Sequence, residues 1–273
     1  MIFKLKKELE EILKEKEDNE FEVDLIISYV TKLEKSKWIL KNNISQKQIK
    51  ECLKICAKRK KGVPIQYLLK NWEFFGVSIK VGKGVLIPRQ DTETVVEVAL
   101  KLINKPTKIL DLGTGSGCIA KAIAKNKKNV TIFAVEKYKK ALKYAKKNLK
   151  NVKQNIKLIK GDMLNEKLTK KFKDIDIIIS NPPYLTQNEI ENLQKEVSFE
   201  PKTALFGGEN GLEYYEKISS IWKNSLKKGG YIIFEIGYLQ KDAVEKILKK
   251  NLYKDITTYK DSNKKYRVLV GKK

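Results

Sequence analysis

The 273-residue chain contains no histidine. That excludes histidine triads, histidine general bases and histidine metal ligands. The chemistry left open runs through carboxylates, amides, backbone groups or a cofactor. Cysteine is scarce too: Cys52, Cys56 and Cys118 are an odd number at no zinc-ligand spacing. Cys52 and Cys56 stand four apart, on one face of a predicted helix, where buried thiols are the better reading than a metal site. No metal is expected. No apolar run reaches the roughly 18–20 residues of a membrane helix. Residues 1–17 mix apolar side chains with lysines and glutamates, unlike a secretory signal. A cytoplasmic, monomeric protein with no membrane partner is expected. Arginine is rare as well, with only Arg59, Arg89 and Arg267 among 58 basic residues. The net charge of +25 invites contact with nucleic acid or the ribosome, yet base and phosphate recognition favours the guanidinium fork. A solvated lysine-rich surface and a polyanion-binding surface both stay open.

What is present is enough to fold. With 41% hydrophobic and 9% aromatic residues the chain can bury a core, and its length suits one large domain plus a smaller one. Residues 1–70 read as helices: Leu5, Leu9, Ile12 and Leu13, then Val23, Ile26, Ile27 and Val30, recur at helical spacing. Ser45 is a plausible N-cap for a helix carrying Ile49, Leu53, Ile55 and Cys56. Residues 71–88 have strand-like composition with turn signals at Gly76 and Gly82-Lys83-Gly84, predicting a hairpin bridge. From residue 89 to 273 the pattern becomes α/β. Strand-like runs at 108–112, 131–135, 156–159 and 174–180 alternate with helical stretches at 118–125 and 138–149, which predicts a parallel sheet covered on both faces. Later strands are expected at 231–236, 255–259 and 267–270. The last two are joined by a short turn at Asp261-Ser262-Asn263, too short for a crossover, so an antiparallel closing pair is expected.

The apolar strand 108–112 runs into Gly113-Thr114-Gly115-Ser116-Gly117 and then a helix. Glycine serves where backbone turns sharply and approaches a ligand without a Cβ in the way. The spacing differs from the Gly-x-Gly-x-x-Gly turn that seats a pyrophosphate. Asp111, just before the turn, would repel a pyrophosphate but suit a ligand with a cationic end. Glu136 closes the second strand about 20 residues on, where such folds place an acid to grip ribose hydroxyls. Asp162 either accepts from an adenine amino group or caps a turn, and Met163 could cover the ring.

The strand 176–180 delivers Asn181-Pro182-Pro183-Tyr184 at its carboxyl end, where open α/β sheets bind ligands. The Asn181 side-chain oxygen and the Pro182 carbonyl can each accept one N–H of an NH₂ group. Two prolines stiffen the backbone that holds them, and Tyr184 offers a flat face worth on the order of 1 kcal/mol. Such a pair of acceptors suits a nitrogen whose lone pair is delocalised, and stabilises positive charge growing during attack on a methyl carbon. Orientation alone can supply up to roughly 7–11 kcal/mol, so no strong base is needed.

In this order the Asp-Leu-Gly-Thr-Gly-Ser-Gly turn, Glu136 and Asn-Pro-Pro-Tyr resemble class I methyltransferases acting on planar nitrogens. Further segments, Pro64–Leu68, Trp72–Gly76, Leu86–Glu93, Glu200-Pro201, Ala204–Gly208 and Gly211-Leu212, resemble the bacterial release-factor glutamine methyltransferases, the HemK/PrmC family. The resemblance spans nearly all of 62–273 and, by helical character only, 1–61. It implies a Rossmann-like seven-stranded sheet with an antiparallel last strand, a helical substrate-recognition domain and a hairpin linker. It also implies S-adenosylmethionine as cofactor, S-adenosylhomocysteine as product, and class 1 peptide chain release factors as substrate, methylated at the glutamine of Gly-Gly-Gln. Cofactor positions carry over to Gly113–Gly117, Glu136, Met163 and Asn181, and substrate positions to Asn181–Tyr184. Glu136 stands where aspartate is commoner, Met163 where an aromatic residue is frequent, Gln90 where proline is usual, and Asp261–Arg267 follows its pattern loosely. Arg89 is expected either in an ion pair, with Asp91 and Glu93 nearby, or on the substrate. The alternative is a nucleic-acid amino-methyltransferase: a DNA enzyme normally needs a target-recognition domain, absent as a long insert, and a ribosomal-RNA enzyme sits poorly with so little arginine. A scaffold protein would not need Asn181–Tyr184 intact.

Overall fold

The structure is a computed structural model and describes residues 1–40, 43–153 and 155–273. The chain divides into two compact units. Met1–Asn71 with Gln194–Phe199 forms one, and Trp72–Leu193 with Glu200–Lys273 the other.

The first unit is helical: α1 (Ile2–Ile12), α2 (Asn19–Thr31), α3 (Gln46–Lys60) and α4 (Ile65–Leu69). Ser45 starts α3 through a reciprocal capping box with Gln48. Leu5, Leu9, Leu13, Val23, Ile26, Ile27, Cys52 and Cys56 meet in its core with Trp38. At the edge of that core Arg59 is nearly buried and donates to both Glu22 oxygens at 2.7 and 2.8 Å. Glu196 joins this unit through one oxygen that accepts from Lys16 at 2.5 Å and Arg59 at 2.8 Å. Nothing in the local sequence around Glu196 announces that attachment, because the partners lie far away along the chain.

The second unit opens with a hairpin, β1 (Asn71–Phe74) and β2 (Val77–Lys80), whose turn residues Phe75 and Gly76 both have positive φ. There follow α5 (Glu93–Leu102), β3 (Thr107–Leu112), α6 (Cys118–Asn126), β4 (Val130–Glu136), α7 (Lys139–Leu149), β5 (Asn155–Lys160), α8 (Glu166–Thr169), β6 (Ile175–Ser180), α9 (Gln187–Glu191), α10 (Glu213–Ile221), β7 (Leu226–Glu235), α11 (Lys241–Lys250), β8 (Lys254–Lys260) and β9 (Tyr266–Lys272). The hairpin is fastened to this unit: Lys80 N–H donates to the Asn148 side chain of α7, and the Asn148 amide donates back to the Lys80 carbonyl.

The sheet has seven strands in the order β5-β4-β3-β6-β7-β9-β8. The first five are parallel and β9 runs antiparallel to both β7 and β8. Two strand ends differ from the sequence reading. β6 begins at Ile175 because Asp174 has φ 55°. β7 extends back to Leu226, which pairs with Ile175; pairing with β6 resumes at Tyr231, so the turn-like Lys-Lys-Gly-Gly residues form an irregularity within the strand. The order reverses between β3 and β6, and the crevice of such a sheet opens at that switch point. In register, Leu112 faces Ser180, so Gly113 and Asn181 leave the sheet side by side. Among the described residues no helix is long and apolar enough to cross a membrane.

Candidate active site

The turn after β3 is built by three glycines at φ 73°, 58° and 80°, Gly113, Gly115 and Gly117. A Cβ on Gly113 would stand 3.3 Å from the Met163 sulfur, and one on Gly115 would meet only the Gly113 carbonyl oxygen, at 3.9 Å. Gly113, Thr114, Gly115 and Ser116 line a cavity with Glu136, Asp162, Met163, Arg89, Asn181 and Pro183. Gly117 does not line it. Its left-handed backbone starts α6, and a side chain there would press on Leu149.

Asp111 is a correction. It is 1% exposed and does not line the cavity. Its carboxylate lies beneath the turn and accepts the Thr114 hydroxyl at 2.5 Å, which ties the turn back to the strand. Burial pushes this carboxyl up to about 7, opposed by the Thr114 hydroxyl. Any effect on a ligand's cationic end therefore acts through space.

Glu136 does line the cavity. One oxygen accepts the Gly115 N–H at 2.9 Å and the other the Tyr138 N–H at 2.8 Å. Burial raises its pKa, and these backbone donors oppose the shift. A carboxylate has about four lone-pair positions, so both oxygens keep capacity for two hydroxyl donors. Asp162 caps a turn and also lines the cavity. Oδ1 accepts the Leu164 N–H at 2.9 Å and caps the turn, Oδ2 pairs with Lys137 at 2.8 Å, and the side chain still faces the cavity. Tyr138 and Tyr214 also line it. They supply aromatic surface that Met163 lacks, and sequence reasoning missed both because they lie outside the glycine turn and the acids.

A second, smaller cleft adjoins the first. Pro182, Tyr184, Leu205 and Glu235 line it, and Asn181, Arg89, Leu86 and Ala204 belong to both. The two spaces therefore meet at Asn181. Its amide donates to the Thr92 hydroxyl at 3.3 Å, leaving the side-chain oxygen for the cleft. Tyr184 is half-buried against the sheet core, and burial pushes its hydroxyl pKa upward. The segment after Pro201 packs on this exit: Leu185 N–H donates to the Leu205 carbonyl and Gly207 N–H to the Leu185 carbonyl. A Cβ on Gly207 would come within 2.5 Å of the Tyr184 Cα, so only glycine passes there. Gln240 finishes the frame by donating to the Tyr184 carbonyl at 3.1 Å.

Arg89 does form an ion pair, but with Glu200 rather than Asp91 or Glu93. Asp91 instead pairs with Arg267 at 2.9 Å, and Glu93 accepts the Phe75 N–H at 2.6 Å. Glu200 also accepts the Ile87 N–H at 2.8 Å, so this buried acid pins the chain on both sides of Pro88. Thr92 and Glu235 stand in the site without any sequence motif to mark their roles.

Comparison with known proteins agrees with this architecture. The methyltransferase small domain family model matches residues 91–206, and the PrmC N-terminal domain model matches residues 4–69. The solved structure of a methyltransferase from Pyrococcus furiosus shares the fold at TM-score 0.53 and 18% identity, over 84% of this chain and 98% of that one. The release factor glutamine methyltransferase of Fusobacterium nucleatum subsp. nucleatum is 38% identical over 260 residues, 92% of this chain and 73% of that protein. The protein of the same name from Thermodesulfovibrio yellowstonii is 40% identical over 259 residues, 92% of each. Identity of this order across most of the chain leaves one conclusion: it belongs to the release factor glutamine methyltransferase family.

Proposed function

We propose that the larger cavity holds S-adenosylmethionine and that the adjoining cleft holds the side-chain amide of the glutamine in the Gly-Gly-Gln motif of class 1 peptide chain release factors. The names of the relatives support the acceptor, and the junction of the two spaces at Asn181 is the observation that carries the reading. The residues present fit such a cofactor. Glu136 faces the cavity with lone pairs to spare for ribose hydroxyls, and the Gly113–Gly115 turn leaves room for a ligand to lie against backbone. Asp162 and Met163, with Tyr138 or Tyr214, would hold the adenine. When bound, S-adenosylmethionine supplies an electrophilic methyl group on a cationic sulfur and leaves as S-adenosylhomocysteine.

The protein's own part is positioning. The Asn181 side-chain oxygen and the Pro182 carbonyl each accept one N–H of the glutamine amide, which turns the nitrogen's lone pair toward the methyl group. As the nitrogen–carbon bond forms and the sulfur–carbon bond breaks, positive charge grows on nitrogen, and the two fixed oxygens stabilise it without reorganising. One amide proton then passes to solvent water, which restores a neutral methylated amide. Tyr184 borders the planar group, and Arg89, with 38% of its side chain exposed and Glu200 holding it, is placed for an acceptor carbonyl. The helical unit is assigned to recognition of the release factor.

Asn181→Ala tests the reading. Single-turnover methyl transfer to a release factor should fall by about 100- to 1,000-fold, the range seen when one charge-stabilising group is removed, while the folded structure is retained. Near-parental transfer would remove the two-acceptor arrangement.

A further inference from the structure

Glu235 ends β7 with 2% exposure and lines the acceptor cleft beside Asn181 and Tyr184. Its pairing is incomplete. The Thr92 hydroxyl favours its charged form against the cost of burial, while Oε2 has no hydrogen-bond partner among the described residues. Arg267 acts on it electrostatically, yet that guanidinium is committed to Asp91 at 2.9 Å, Asp261 at 3.2 Å and the Ile236 carbonyl at 3.3 Å. A glutamate kept for stability alone would be fully paired, because an unsatisfied buried carboxylate oxygen is costly. Thr92, 3% exposed, connects Glu235 to the site, since its oxygen accepts from the Asn181 amide at 3.3 Å.

A hydroxyl has one proton. With that proton given to Glu235, Thr92 offers Asn181 only a lone pair. Asn181 must then turn its NH₂ toward Thr92 and its oxygen toward the cleft. We infer that Glu235 and Thr92 form a positioning relay that fixes which end of the Asn181 amide meets the acceptor. This rests on the acceptor-site reading above.

The relay has a defined response to pH. Burial pushes Glu235 up to about 7. The groups that face it are Asp91 and Arg89 ahead of α5, Arg267 on β9, Tyr184 after β6, Tyr215 on α10 and Cys118 on α6. Arginine stays charged, Asp91 is held by Arg267, and burial moves both tyrosines and Cys118 upward, away from neutrality. When Glu235 becomes neutral it can donate to Thr92, which then donates to the Asn181 oxygen and turns the NH₂ toward the acceptor's own NH₂. Transfer should therefore fall as pH drops through about 7.

The test follows two readouts over about two pH units on either side of neutrality. The side-chain amide resonances of Asn181 in isotope-labelled protein need no acceptor. They should titrate near pH 7 in the parent and become pH-independent in Thr92→Val and Glu235→Gln. Single-turnover transfer to a release factor should fall by about 10- to 100-fold in Thr92→Val, the loss of one buried hydrogen bond. Thr92→Ser should restore the rate, and Glu235→Gln should lose the acid limb whatever its plateau. Asn181 resonances that do not titrate, or a Thr92→Val rate within about twofold of the parent, would overturn the relay. Undiminished transfer by Asn181→Ala would instead remove the acceptor-site reading, while the resonances would still judge the relay by themselves.

Discussion

Glu136 shows how one carboxylate holds the fold while it lines a cavity. Its two oxygens hold the N–H groups of Gly115 and Tyr138, so the glycine turn and the start of α7 are fixed before any ligand arrives. Glu136→Ala should therefore do more than remove ribose contacts. Two charge-assisted hydrogen bonds, each worth about 1.5–3 kcal/mol, make a loss of at least 100-fold in S-adenosylmethionine affinity the expected calorimetric result. An unchanged dissociation constant would take the ribose role from Glu136. Legibility at this scale followed chemistry. Glu136, Asp162 and the Asn181–Tyr184 run, which border the two spaces, stand out in the sequence because glycine spacing and a proline pair are rare combinations with few structural uses. Asp111 was read as facing a ligand because its position before the turn is visible and its burial is not. Thr92 and Glu235 could not be found from local pattern, since their roles arise only when the ends of β6 and β7 come together with the start of α5.

The elements carry the site by their order. Because β3 and β6 are neighbours and chain order reverses between them, the glycine turn and the Asn181 exit rise side by side. Hydrophobic periodicity predicted that alternation, since buried parallel strands read as short apolar runs between helical stretches. It could not show that β7 starts as early as Leu226, because the two lysines and two glycines that follow signal a turn and sit in a register shift before pairing resumes at Tyr231. Nor could it explain Gly207, whose reason is a backbone crossing with Pro183 and Tyr184. That crossing makes a prediction. Gly207→Ala would place a methyl 2.5 Å from the Tyr184 Cα and 2.7 Å from the Pro183 carbonyl oxygen. Backbone cannot move aside as a flexible side chain can, so thermal unfolding should show a loss of about 1–3 kcal/mol, with reduced methyl transfer as the exit shifts. A variant with parental stability and turnover would mean that this crossing does not hold the acceptor residues.

At the scale of the molecule, the two units are held together by the same means. Each closes on its own apolar core and carries a buried arginine that serves two acids, Arg59 with Glu22 and Glu196 in the helical unit and Arg267 with Asp91 and Asp261 in the sheet unit. Most of this division was readable, because helical periodicity ends where the hairpin begins; the return of Gln194–Phe199 to the helical unit was not. The absence of histidine also becomes intelligible at this scale. A methyl transfer driven by a charged donor and two fixed oxygens asks the protein for orientation rather than for a strong base. The central claim is that the product is a methylated glutamine amide. The direct measurement is mass spectrometry of a class 1 release factor after incubation with the protein and S-adenosylmethionine. The account predicts a single added methyl group on the glutamine of Gly-Gly-Gln. A release factor left unmodified while ribosomal RNA or DNA takes up the methyl group would contradict it.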